Sequence, residues 1–167
     1  MSDPALGRIA PLLGRYRGRG LLLDSNTLVV YVVGRADRRL VGQTKATKGF
    51  RGRDAALLSA FVASVGRLVT TPHVLTEVNG LLNVGGLGRE RHRVLGAFAA
   101  VMGEADEVYR PASRVSVDPS FRLLGLTDAA VLDLADGGPL VVSTDGDLCN
   151  ALRSRGADAL LFNNARP

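Results

Sequence analysis

Short apolar runs that end in polar residues alternate along the chain with longer segments of helical periodicity. Leu21 to Leu23 lead into Asp24, and the run from Leu140 leads into Ser143 and then Asp145. Continuous apolar runs of this length are typical of strands covered on both faces, and strands that alternate with helices form parallel sheets. The sequence therefore predicts an α/β fold, a three-layer α/β/α arrangement with a mainly parallel central sheet.

Helices are predicted where apolar residues recur at intervals of three and four. The predicted helices cover 26–33, 54–65, a segment from Pro72 to the glycines at 85–88, 91–102, 127–135 and 147–155. Further strands are predicted at 68–71, 107–110 and 159–162, and a long basic loop at 34–52. Residues 1–20, which mix arginine with glycine, predict a flexible basic arm, and residues 21–167 a single domain.

The composition argues against several classes of protein. No apolar run is long enough to cross a bilayer, and the first twenty residues lack the apolar core of a secretory signal. A cytoplasmic protein is therefore expected. Cys149 is the single cysteine, which excludes an intrachain disulfide and a cysteine-based zinc cluster, and a buried bystander thiol is expected there.

Charge is distributed unevenly along a chain whose net charge is +5. Seven bases and one acid lie between residues 35 and 53, whereas acids outnumber bases from Glu104 to Asp147. The bases are Arg35, Arg38, Arg39, Lys45, Lys48, Arg51 and Arg53. A basic surface beside an acidic pocket suits a polyanion such as a nucleic acid. The alternative is a solvated loop that serves only solubility.

Four acidic residues are expected to meet in one pocket. Asp24 and Asp145 follow strands, and ligands of open parallel sheets bind beyond the carboxyl ends of strands, where the strand order reverses. Helical geometry places Asp128 on the face of Val131 and Leu132, and Glu77 between Val74 and Leu81. The alternatives are a first-turn acid at Asp128 and an ordinary boundary glutamate at Glu77. Asp133 and Asp136 are expected to be solvated.

A carboxylate cluster of this kind persists when a bound cation offsets its repulsion. Ligands that are all oxygen favour a hard ion, so Mg or Mn is the expected cofactor. Zinc is disfavoured because the chain has only two histidines, His73 and His92, and no cysteine pair. His73 precedes Glu77 by one helical turn and either orients it or is an ordinary surface histidine.

Four ordered motifs resemble those of PIN-domain nucleases: Leu22-Leu-Asp24-Ser-Asn26-Thr27, Thr76-Glu77-Val78, Leu126-Thr-Asp128-Ala-Ala and Val142-Ser-Thr-Asp145-Gly-Asp147. The resemblance spans roughly 21–162. It implies that Asp24, Glu77, Asp128 and Asp145 are the catalytic, metal-binding acids, with Asp147 as an auxiliary metal ligand. It also implies that Asn26 and Thr144 lie near the metal or the scissile phosphate. Lys45, Lys48, Arg51 and Arg53 are expected to bind the substrate backbone.

The implied activity is metal-dependent hydrolysis of phosphodiester bonds, by one metal ion or two, most often in RNA. Many PIN domains are toxins paired with an antitoxin, so the partners expected are RNA, an antitoxin protein and a second copy of the chain. The stretch between Asp24 and Glu77 is long for the compact toxin type. The alternative function is a catalytically silent PIN-like module that binds RNA or protein.

Two other enzyme classes fit the sequence less well. Haloacid-dehalogenase-type phosphatases place an aspartate two residues after the nucleophile as general acid, where this chain has Asn26. A dinucleotide-binding domain requires a strand followed by spaced glycines, and no strand is followed by that pattern.

Overall fold

Five short parallel strands form the central sheet of the computed structural model, which describes residues 4–84 and 86–166. They are β1 (Leu21–Leu23), β2 (Leu68–Thr70), β3 (Asp106–Glu107), β4 (Leu140–Ser143) and β5 (Ala159–Leu161). The spatial order is β3-β2-β1-β4-β5. Leu21 pairs with Leu68 of β2 on one side and with Leu140 of β4 on the other. The strand order thus reverses between β1 and β4, which is where a parallel sheet offers its binding crevice.

Helices flank this sheet and confirm the predicted α/β class. Their bounds are α1 (Pro4–Arg15), α2 (Ser25–Ala36), α3 (Gly52–Val65), α4 (Pro72–Asn83), α5 (Arg91–Glu104), α6 (Ala112–Val115), α7 (Phe121–Leu124), α8 (Leu126–Ala135) and α9 (Gly146–Ser154). Turns of 3₁₀ helix occur at Arg38–Leu40, Lys45–Thr47, Gly88–Glu90 and Phe162–Asn164. Within the described residues, no helix combines the length and the apolar character needed to cross a membrane.

The core is continuous around β1 and α2. All three residues of β1 are buried, and so is every residue of α2 from Thr27 to Val33. A helix that is apolar on all sides must be covered on all sides, and α2 packs against α3, α4 and α5 as well as the sheet. Since α2 begins directly after Asp24, this packing fixes the position of that carboxylate.

The predicted flexible arm is wrong for its described part, because residues 4–15 form α1. Leu13 and Tyr16 are buried, and Leu6, Ile9 and Leu12 pack against the core. Their spacing of three and four gives α1 one apolar face, which binds the core despite the arginines and glycines around it. The first three residues of the predicted arm lie outside the described residues.

The predicted basic loop is shorter and more ordered than expected. Residues 34–36 belong to α2, and the two 3₁₀ turns at 38–40 and 45–47 occupy part of the rest. Thr47 is fully buried; its Oγ1 accepts the N–H of Gly42 at 2.9 Å and lies 2.8 Å from Thr44 Oγ1. These side-chain bonds replace the backbone partners that a helix or strand would supply, so the loop has a defined shape.

Early and late parts of the chain are bonded to one another at two places. The hydroxyl of Tyr16 and the guanidinium of Arg15 both donate to Asp158, at 2.9 and 3.0 Å. Arg166 donates to both carboxylate oxygens of Asp54, at 3.1 and 3.0 Å, and Asp54 is only 1% exposed. The second pair places a positive charge beside a buried carboxylate at the start of α3.

Two smaller differences concern residues between α5 and α8. The predicted strand at 107–110 is limited to Asp106 and Glu107, and Tyr109 beyond it is 71% exposed. Residues 121–124, to which the sequence pattern assigns no firm element, form the short helix α7. Edge strands of two residues are common where a sheet must not offer a long unpaired edge.

Candidate active site

The predicted acids converge on the carboxyl edge of the sheet, at the point where the strand order reverses. Asp24 follows β1, and Asp145 follows the neighbouring β4 by two residues. Helix α4 starts at this edge because it follows β2, and α8 starts there because it runs back to the beginning of β4. Glu77 and Asp128, near the starts of these helices, are therefore brought to the same edge.

Asp24 is a buried carboxylate held by three hydrogen bonds. It is 5% exposed, and as N-cap of α2 its Oδ1 accepts from the Thr27 N–H at 2.8 Å and the Thr27 hydroxyl at 2.7 Å. Its Oδ2 accepts from the hydroxyl of Ser143. Burial raises the pKa of Asp24 above its usual value, while the bonds from Ser143 and Thr27 oppose that rise. The side chain is thereby fixed in one orientation.

Ser143 connects the first and fourth acids. Besides donating to Asp24, its oxygen accepts the backbone N–H of Asp145 at 2.9 Å. No role is predicted for Ser143 or Thr27 from the sequence, although each lies where an apolar run meets polar residues next to a predicted acid. Both hydroxyls are fully buried, so each requires a hydrogen-bond partner.

Asp145 is exposed and caps α9 with one of its two oxygens. Oδ1 accepts the N–H groups of Asp147 at 2.7 Å and Leu148 at 3.2 Å, which satisfies donors at the helix start. No hydrogen bond within the described residues involves Oδ2. One oxygen of Asp145 thus remains available to a ligand.

Asp128 is where the four charges meet. It is half-buried in the first turn of α8, yet no hydrogen bond to its carboxylate exists within the described residues, so it does not cap the helix. Its pKa is raised to about 7, first by burial and then by the charges of Asp145, Asp24 and Glu77. The charges of Asp24, Glu77 and Asp145, from three other segments, therefore act on Asp128.

The cluster fits a hard divalent cation in charge and in donor chemistry. Its donors are carboxylate oxygens alone, and they carry up to four negative charges. Among residues 4–84 and 86–166, no three His, Cys, Asp or Glu side chains are close enough to form a ready-made ligand set. A cation bound here would therefore require the side chains of the cluster to move closer together.

Two buried polar atoms at the same edge of the sheet also favour a bound polar ligand. The hydroxyl oxygens of Ser25 and Thr70 are buried without a hydrogen-bond partner in the described residues. Ser25 follows Asp24, and Thr70 ends β2, so both belong to the carboxyl edge of the sheet. Buried polar atoms normally have partners, which supports a polar ligand at this edge.

The other residues assigned by the resemblance are less closely associated with the cluster. Asp147 is exposed, is not among the charges that raise the pKa of Asp128, and lines a separate cleft beside Leu123 and Asn150. Asn26 is exposed in the first turn of α2. Thr144 is half-buried between Ser143 and Asp145, and a hydrogen bond from its backbone lowers the pKa of Asp24.

The four substrate-binding candidates are exposed and form no ion pair within the described part of the chain. Lys45, Lys48 and Arg51 belong to the predicted basic loop, and Arg53 lies in the first turn of α3. Phe50 lies among these bases. Its ring packs against Phe162 at 6.5 Å and beneath the guanidinium of Arg166 at 4.9 Å. Phe50 therefore serves to hold the loop in place.

Three further predictions concern single residues. Asp136 is exposed as expected, but Asp133 is not simply solvated, because Arg110 and Arg114 contact its carboxylate at 2.6 and 3.1 Å. Cys149 is fully buried, as predicted for a bystander thiol, and burial raises the pKa of that thiol.

Comparisons with protein-family models, with curated proteins and with solved structures found no significant match to this chain. The functional assignment below therefore rests on the residues and their arrangement.

Proposed function

We propose that the chain is a divalent-metal-dependent nuclease of the PIN-domain kind, which hydrolyses phosphodiester bonds in RNA. The observation that carries this proposal is the placement of Asp24 and Asp145 beyond the carboxyl ends of the paired strands β1 and β4, where their charges and that of Glu77 act on Asp128. Such a cluster by itself repels a phosphate, and a bound cation would offset that repulsion. Mg or Mn held by these acids would acidify a water molecule and offset charge on the phosphate and the leaving oxygen.

The four acids are held to different degrees, which suits different tasks. Both oxygens of Asp24 accept hydrogen bonds, so this carboxylate has a fixed direction. One oxygen of Asp145 is similarly committed to α9. The carboxylates of Asp128 and Glu77 accept no hydrogen bond within the described residues. Both side chains can therefore turn toward a cation. In the proposed site, Asp24 and Asp145 would be the positioned ligands, and Asp128 and Glu77 would turn toward the ion.

The basic loop supplies the complementary charge for the substrate. Phosphate contacts from lysine and arginine provide most of the affinity of proteins for nucleic acids and carry no sequence information. The four unpaired bases of the loop are suited to that role because none is neutralised by a described acid. A toxin role with an antitoxin, a homodimeric state and a cytoplasmic location stay predictions of the sequence.

Cleavage of labelled single-stranded RNA, with Mg, with Mn and with chelator, tests the proposal. The wild type should cleave only with metal, and Asp24→Asn and Asp128→Asn should each abolish cleavage because each removes a charged ligand. Asp136→Asn is the matched control, since it makes the same change at an exposed aspartate that ends α8. It should cleave like the wild type.

Two outcomes would contradict the proposal. Cleavage undiminished in both cluster variants would place the reaction elsewhere or trace it to a contaminant. RNA binding without cleavage under any metal would favour the alternative of a silent binding module. Product ends distinguish the reaction further, because the resemblance implies a 5′-phosphate and a 3′-hydroxyl.

A further inference from the structure

A cleft of about 380 Å³ lies between the first turns of α4 and α8, beside the carboxylate cluster. Its walls are Pro72, His73, Thr76, Glu77, Leu126 and Thr127. Glu77 belongs both to this cleft and to the group of charges around Asp128. A ligand in the cleft would therefore be adjacent to the place where the scissile phosphate is proposed to bind.

His73 contributes a partly exposed imidazole ring to the wall of the cleft. Its Nδ1 is enclosed by the protein and makes no hydrogen bond within the described residues. A base in the cleft would therefore contact the accessible part of the ring, as bases do when they stack on aromatic side chains. Pro72 and Leu126 add apolar surface on either side of the cleft, of the kind that receives the face of a planar ring.

We propose that this cleft binds the base of a nucleotide next to the scissile phosphate, with His73 contacting the base. The inference rests on the proposed function, because Glu77 links the cleft to the carboxylate cluster. A base fits better than a second phosphate, since the carboxylate of Glu77 would repel an anion there. The ligand is a single-stranded nucleic acid, because only an unstacked base can enter such a cleft.

Binding measurements with two ligands test the role of His73. One ligand is a fluorescent single-stranded RNA of about twelve nucleotides, within the site sizes of such proteins. The other has the same sugars and phosphates but no bases. His73→Ala should weaken binding of the intact RNA by about tenfold, the usual effect of losing one base contact, and leave binding of the abasic strand unchanged.

Chelator in every sample prevents cleavage, so that affinity is measured without turnover. His92→Ala is the matched control, because His92 is the other histidine and is exposed on α5. It should bind both strands like the wild type. The abasic strand also reports folding, since a misfolded His73→Ala protein would lose affinity for both ligands. Should that happen, His73→Gln, which keeps a polar side chain, replaces it in the same measurement.

Two results overturn the inference: no effect of His73→Ala on either strand, or an equal loss of affinity for both strands with His73→Gln. Metal-dependent cleavage is assayed separately with the same proteins. If the wild type cleaves RNA but His73→Ala does not selectively weaken binding of the intact strand, the base-binding cleft is refuted and the nuclease proposal stands. If His73→Ala selectively weakens binding of the intact strand but the wild type does not cleave, the nuclease proposal is refuted and the cleft stands.

Discussion

Replacing Asp128 by asparagine should stabilise the metal-free protein. The pKa of Asp128 rises from 3.8 to about 7 on folding, because burial and three neighbouring carboxylates disfavour its charged form. A rise of that size corresponds to an upper limit of about 4 kcal/mol. Solvent screens a half-buried side chain, so we expect a gain of about 1–2 kcal/mol at about pH 8. Asparagine keeps nearly the same shape while it removes the charge.

The gain should depend on pH in a defined direction. Between pH 3.8 and about 7 the folded protein holds a proton on Asp128 that the unfolded chain has released. The free energy of unfolding of the wild type therefore falls as the pH rises through this window. The advantage of Asp128→Asn should be close to zero at about pH 4 and complete at about pH 8.

Urea denaturation with chelator, at several pH values, measures this difference, and Asp136→Asn serves as the control. Added Mg or Mn should raise the melting temperature of the wild type more than that of Asp128→Asn, since ions that bind only the folded state stabilise it. A variant that unfolds more readily than the wild type without metal, and responds equally to metal, would refute the reasoning. Asp128 would then act as a first-turn acid that favours α8 through the helix dipole.

Two further predictions concern the groups around the cluster. The salt dependence of RNA binding should fall when the four bases are replaced by alanine: Lys45, Lys48, Arg51 and Arg53. The slope of log binding constant against log salt concentration should become shallower by about 3. Alanine at the exposed Arg8 and Arg122 should change it little, and equal effects of both variants would make the loop an ordinary solvated segment. Ser143→Ala should lower the free energy of unfolding by about 1–3 kcal/mol, because it leaves an oxygen of the buried Asp24 carboxylate without its donor. Ser59→Ala is the comparison, as Ser59 bonds only to the Ala55 carbonyl; equal losses at both serines would contradict the role given to Ser143.

The sheet and its reversal point could be predicted because they depend on patterns that are local in sequence. The apolar runs at Leu21–Leu23 and Leu140–Ser143 have few other ways to be buried. Asp24 and Asp145 follow these runs directly, and their proximity follows from the parallel arrangement of β1 and β4. Placement of Asp128 on the inner face of α8 likewise needed only helical geometry.

Features that depend on contacts between distant segments could not be predicted in this way. The bond from Ser143 to Asp24 joins residues far apart in sequence, and the shape of the basic loop depends on side-chain bonds between Thr44 and Thr47. The packing of α1 was obscured because glycine and arginine dominate the composition around its apolar face. The cleft at His73 also became visible only when α4 and α8 were seen together.

The bonds that join early and late residues have a consequence for synthesis of the protein. Tyr16 and Asp54 lie in the first third of the chain, but their partners Asp158 and Arg166 are translated last. Apolar residues of α1 and α3 are therefore incompletely buried until translation is finished. Contacts of such long sequence separation slow folding and expose intermediates to aggregation. A nascent chain that ends before Asp158 should accordingly engage chaperones more than the full chain does.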